Sequence, residues 1–168
     1  MGIGADGFEL GRPLYIDIAR GEEDRMCSDE PTDRPPRVIT AELFDEQGAA
    51  IVVDGDLDLE TAPQLASAIA DMIAEGHLHL VIDLSAATFL DSMAMGTLLR
   101  AVAPLRADPA AAVALAGAHG IVDRSLSISG IGEMFARFDS REAAIDAMGD
   151  TTAPMRDTWR TTRSHPYP

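Results

Sequence analysis

Leu78-His-Leu-Val-Ile-Asp83-Leu-Ser-Ala-Ala-Thr-Phe89-Leu-Asp-Ser92-Met-Ala-Met-Gly96-Thr-Leu-Leu99 changes its hydrophobic period part-way along. The first part, Leu78–Leu84, is a short apolar run holding Val81 and Ile82, with polar residues on both sides. A run of that length suits a strand buried on both faces. From Ser92 the spacing becomes helical. Met95, Leu98, Leu99 and Val102 stand at i, i+3, i+4 and i+7, which predicts an amphipathic helix over Ser92–Leu105. Between the two, a short connection is expected to bring Phe89 and Leu90 back to the core. Asp91-Ser92 falls where the helix begins.

The alternation of strand and helix continues in both directions. Upstream, Val38–Phe44 and Ala50–Asp54 are strand-like and joined through Gln47-Gly48 as a hairpin. Thr61–Glu75 then places Ala62, Leu65, Ala66, Ile69 and Ile73 on one helical face, and Gly76 ends it. Downstream, Ala112–Ala116 reads as a small strand and His119–Ile128 as a short helix closed by Gly130. Glu133–Phe138 adds a further strand, and Ser140 caps a last helix that runs through Met148 to Gly149. The expected fold class is α/β. A mixed sheet of four to five strands opens on a hairpin, with helices packed against it and right-handed crossovers.

Composition sets the limits of this unit. The 168 residues allow one core of ordinary size plus tails. Residues 1–37 hold nine acids against five arginines and end in Pro31-Thr-Asp-Arg-Pro35-Pro36, which predicts a disordered acidic arm. Residues 150–168, with three prolines and Trp159 as an anchor, read as a disordered tail. The folded unit is expected at 38–149.

The formal net charge is −15, so a nucleic-acid partner is not expected, because phosphate binding needs a basic face. The same charge, with no long heptad pattern, predicts a monomer when free. No apolar stretch is long enough to span a membrane, and the acidic first thirty residues do not resemble a secretory signal. A cytoplasmic protein is expected. Cys27 stands alone, and His77, His79, His119 and His165 are scattered without metal spacing. Asp54, Asp56 and Asp58 alternate like a strand's ligands, but no fourth ligand or calcium-loop pattern follows. With no nucleophile elbow and no P-loop, neither an enzyme nor a cofactor is expected.

By residue type Ser92 reads as a cap. Serine is a good helix N-cap, because its hydroxyl accepts a hydrogen bond from a free N–H of the first turn. Here the chain also resembles a known family. Phe89-Leu-Asp-Ser92-x-x-Met-Gly96 is similar to the phosphorylation loop of STAS domains in bacterial anti-sigma factor antagonists. Gly55-Asp-Leu-Asp58-Leu-Glu-Thr61-Ala62 resembles that family's turn into its first helix. Ile128-Ser-Gly130-Ile-Gly-Glu-Met-Phe135 is similar to its Ser/Thr-Gly-Leu…Phe segment. Three motifs in this order make the resemblance specific.

The resemblance implies a regulatory binding protein, switched off when an ATP-binding anti-sigma factor kinase phosphorylates Ser92. It implies partner-binding roles for Asp56, Asp58, Thr61, Asp91, Met93, Ala94, Met95 and Gly96. Asp58 and Asp91 match acids flanking the serine, and Asp56 stands where the family usually has Glu. Met93 and Ala94 depart from the pattern, replacing a polar residue and a glycine. Ala is a better helix former than Gly by about 1 kcal/mol, so a stiffer helix start is expected. The two methionines are expected to give the loop a soft apolar surface. The departure also leaves open a second use of the same fold, as a non-phosphorylated scaffold, ligand sensor or transporter accessory subunit.

Overall fold

A computed structural model describes residues 38–149. The acidic arm, the tail, Cys27 and His165 lie outside the described residues. Strands β1 (Val38–Leu43) and β2 (Gly48–Leu57) pair antiparallel, in register from Val38 opposite Asp54 to Leu43 opposite Ala49. Their turn closes on a Phe44 N–H to Gly48 O bond of 3.1 Å, with the Asp45 carboxylate accepting from Gln47 N–H at 2.8 Å. Gly48 leaves room for the Phe44 ring, which a Cβ there would force to move.

Three parallel strands follow: β3 (His79–Leu90), β4 (Ala112–Ala116) and β5 (Ala136–Phe138). The sheet order is β1-β2-β3-β4-β5, so the predicted mixed sheet has five strands. Helices α1 (Ala62–Ala74), α2 (Ser92–Val102) and α3 (Gly120–Ser129) cover one face. There Leu65, Ile69, Leu98 and Leu126 meet Ile51, Leu80, Ile82 and Leu115 in the main core. Helix α4 (Arg141–Gly149) covers part of the other face, with Ala144 and Met148 against Ala50, Val81 and the alanines of β4. Arg141 ties α4 to the sheet, 2.9 Å from Glu42 and 3.8 Å from the buried Asp83. Among the described residues no helix is long and apolar enough to cross a membrane.

Local details differ from the sequence reading for identifiable reasons. Helix α1 buries Ala68 and Met72, while Ala66 and Ile73 are only half-buried, because its contacts with the sheet and α2 select a face rotated from the predicted one. Helix α2 stops at Val102 rather than Leu105. Pro104 lacks an N–H for the next helical bond, and Ala103–Ala107 tightens into a 3-10 turn. Ile131–Met134 is likewise a 3-10 turn, so β5 begins only at Ala136.

The largest difference lies in β3. The expected connection after Leu84 is strand as far as Leu90, and Phe89 does not return to the core. Val52 faces Asp83 but Asp54 faces Ala86, and Gly55 faces Ala87 but Asp56 faces Phe89. Each step leaves one extra residue on β3, which makes a bulge. Burial then recurs every third residue, at Leu84, Ala87 and Leu90, and Phe89 is turned outward.

Candidate serine switch

The two bulges extend β3 alongside the last residues of β2 and set Asp91 and Ser92 beside the β2–α1 turn. At the first bulge Asp83 Oδ1 accepts from Ser85 N–H at 2.9 Å. At the second, the Thr88 hydroxyl donates to Asp56 Oδ1 at 2.6 Å. Asp91 is then fixed by its own N–H, which donates to Leu57 O at 3.2 Å.

Asp91 is the N-cap of α2. Its backbone is extended (φ −93°, ψ 171°) and its carboxylate accepts from Ala94 N–H at 2.7 Å. Ser92 is therefore not the cap. It is the first helical residue, and its side chain is exposed. The capping position requires a non-helical backbone, and the bond to Leu57 gives that backbone to Asp91.

Asp58 and Thr61 build the neighbouring turn. The buried Thr61 hydroxyl accepts from Asp58 N–H at 2.8 Å, and its own hydrogen lies within reach of Asp56 O at 2.9 Å and Asp58 Oδ1 at 3.1 Å. Asp58 Oδ1 also accepts from Glu60 and Thr61 N–H, at 3.1 and 3.2 Å. These two residues hold the entry to α1.

The remaining predicted site residues divide between surface and core. Met93 is exposed, but Ala94 and Met95 are buried beneath α2, so the expected pair of surface methionines is one. The Met95 sulfur accepts from the Ser129 hydroxyl at 3.3 Å. Gly96 is half-buried, and a Cβ there would make only ordinary contact with Arg100. Asp54, Asp56 and Asp58 do not converge, and no group of three His, Cys, Asp or Glu among the described residues could hold a metal ion.

The sequence reading passed over Thr88, which supports Asp56, and the exposed Leu59, and it assigned the exposed Phe89 to the core. Leu59 carried a readable signal, an apolar residue set between two acids in a turn. Thr88 and Phe89 carried none, because a bulge leaves no mark in hydrophobic period.

A separate cleft of about 560 Å³ opens at the ends of β4 and β5, where α3 and α4 leave for opposite faces. His119 and Phe138 line it, together with the Arg137–Asp123 ion pair. It shares no residue with the serine loop.

The STAS domain family model matches residues 43–144. The anti-sigma-F factor antagonist RsfB of Mycobacterium tuberculosis is 30% identical over 111 residues, 66% of this chain and 89% of RsfB. The crystal structure of an anti-sigma factor antagonist from Mycobacterium paratuberculosis superposes with a TM-score of 0.59 at 28% identity, covering 68% of this chain and 97% of that one. The unphosphorylated anti-sigma factor antagonist SpoIIAA of Bacillus shares the fold at a TM-score of 0.57 and 23% identity, over 65% of this chain and 94% of its own. The family match runs from the end of β1 to the middle of α4, so the chain belongs to the STAS domain family.

Proposed function

We propose that this protein is an anti-sigma factor antagonist that binds an anti-sigma factor of the ATP-dependent serine-kinase type and is released when that partner phosphorylates Ser92. One observation carries the reading. Ser92 presents its hydroxyl on an exposed first helical turn whose capping is done by Asp91, so the hydroxyl is available to a partner. The antagonist names of the relatives at 28% and 30% identity support the same assignment.

In this reading the protein does no chemistry of its own. The kinase moves the γ-phosphoryl group of ATP to Ser92 Oγ, ADP leaves, and the hydroxyl proton goes to a base of the partner. The phosphate adds about −1.5 to −2 charges at neutral pH. The N-terminus of α2 accommodates that charge, because its free N–H groups and dipole favour anions. The complex does not. The new charge sits next to Asp91 in a face already rich in carboxylates, and it must shed water to stay in contact. Asp56, Asp91 and Met93 meet the partner directly. Asp58 and Thr61 shape the turn beside it, and Ala94, Met95 and Gly96 act through the packing of the helix that carries the serine.

The test pairs the full chain with each kinase-type anti-sigma factor of its own genome and follows labelled phosphate from ATP. The wild type should be labelled on Ser92. Ser92→Ala should bind without being labelled, and Ser92→Asp should bind at least roughly tenfold more weakly, as expected for an unpaired interface charge. If none labels the wild type and Ser92→Asp binds as well as wild type, the scaffold reading replaces the switch.

A further inference from the structure

Three large apolar side chains stand in water around Ser92. Leu59 is 64% exposed, Met93 52% and Phe89 42%. They lie where β2 and β3 end and α2 begins. Phe89 is level with Asp56 across the β2–β3 ladder, Leu59 follows two residues after Leu57, and Met93 is one residue past Ser92. Strands in a ladder lie about 4.8 Å apart, so the backbones that carry the three are neighbours. Phe89 in particular is outside the core only because the second bulge of β3 turns it there. An aromatic ring held in water beside two further apolar groups marks a contact surface.

The charge beside these groups says what fits them. Asp58 and Glu60 flank Leu59 in the chain, Asp56 is level with Phe89, Asp91 lies two residues before Met93, and no arginine or lysine occurs between Arg37 and Arg100. A second copy presenting the same face would be repelled. We propose that Leu59, Phe89 and Met93 are the anchors of a docking surface for a different protein, one whose own face is an apolar pocket rimmed by arginine or lysine. The inference deepens the reading of Ser92 as the partner-facing serine and rests on it. The apolar anchors set how long the complex lasts, and the acids set how fast it forms.

The probes are the kinase-type anti-sigma factors of the same genome, with binding rates measured on the full chain by interferometry at low and high salt. The variants are Leu59→Ser, Phe89→Ser and Met93→Ser. Leu43→Ser is the control, because Leu43 is 47% exposed at the far end of the strands, opposite Ala49 at the start of β2. All should keep the wild-type melting temperature. The expected result is roughly 10- to 100-fold faster dissociation for Phe89→Ser and Leu59→Ser, with the control unchanged. Association of the wild type should slow steeply as salt rises. Labelled Ser92 with unchanged dissociation of the triad variants overturns the triad and leaves the serine reading standing. Lost binding in the triad variants without label on Ser92 does the reverse. A wild type that binds none of the probes, or pairs with itself at low salt, overturns the docking surface.

Discussion

Asp91 and Ser92 are adjacent, and both are good N-cap residues, so residue type alone does not say which one caps α2. The neighbouring strand decides it. Leu57 O takes the N–H of Asp91, Asp91 stays extended, and its carboxylate faces Ala94 N–H. Ser92 is left one position inside the helix with its hydroxyl outward. Asp91→Ala should therefore lose about 0.5–2 kcal/mol of folding stability. Ser92→Ala should stay within about 0.5 kcal/mol of wild type. Urea denaturation of both variants checks this, and the opposite ranking would return the cap to Ser92. Ala94 shows a similar dependence on context. It stands where the family pattern has glycine, and its methyl is fully buried, so the departure affects packing beneath the helix rather than the surface above it.

At the scale of elements, the helical period of α2 and the glycine stops after α1 and α3 could be read directly, because local chemistry fixes both. The upper half of β3 could not. Its buried residues come every third position, which fits neither a helix nor a regular strand, and the pattern has meaning only against the register with β2. The two faces of the sheet also differ in the size of the side chains they offer to the helices. Ala112, Ala114 and Ala116 present only methyl groups to α4, whereas the opposite face offers Leu80, Ile82 and Leu115 to the other three helices. Ala114→Leu should accordingly overfill the α4 side and cost about 1–3 kcal/mol. Leu98→Ala should open a cavity on the other side and cost about 2–5 kcal/mol. Thermal melts of the two variants test the assignment of faces. A stabilised Ala114→Leu would mean that α4 packs loosely.

At the scale of the molecule, the charge and the composition breaks lead to two expectations. We propose that residues 38–149 fold on their own and that the free chain is a cytoplasmic monomer kept apart from its copies by its net charge of −15. Limited proteolysis should leave a core close to those limits, and early cleavage within residues 60–105 would overturn the boundary. Light scattering at micromolar concentration should give the monomer mass at low and moderate salt. The sequence by itself determined the fold class, the order of strands and helices, and the place of Ser92 at a strand-to-helix junction. Each of these follows from hydrophobic period and helix-end chemistry, which act over a few residues. Only the tertiary structure decided that Asp91 and not Ser92 caps the helix, that Met95 is buried, and that Phe89 stands outside the core. Those three depend on how β3 pairs with β2, and a register set by two bulges is a property of two strands together.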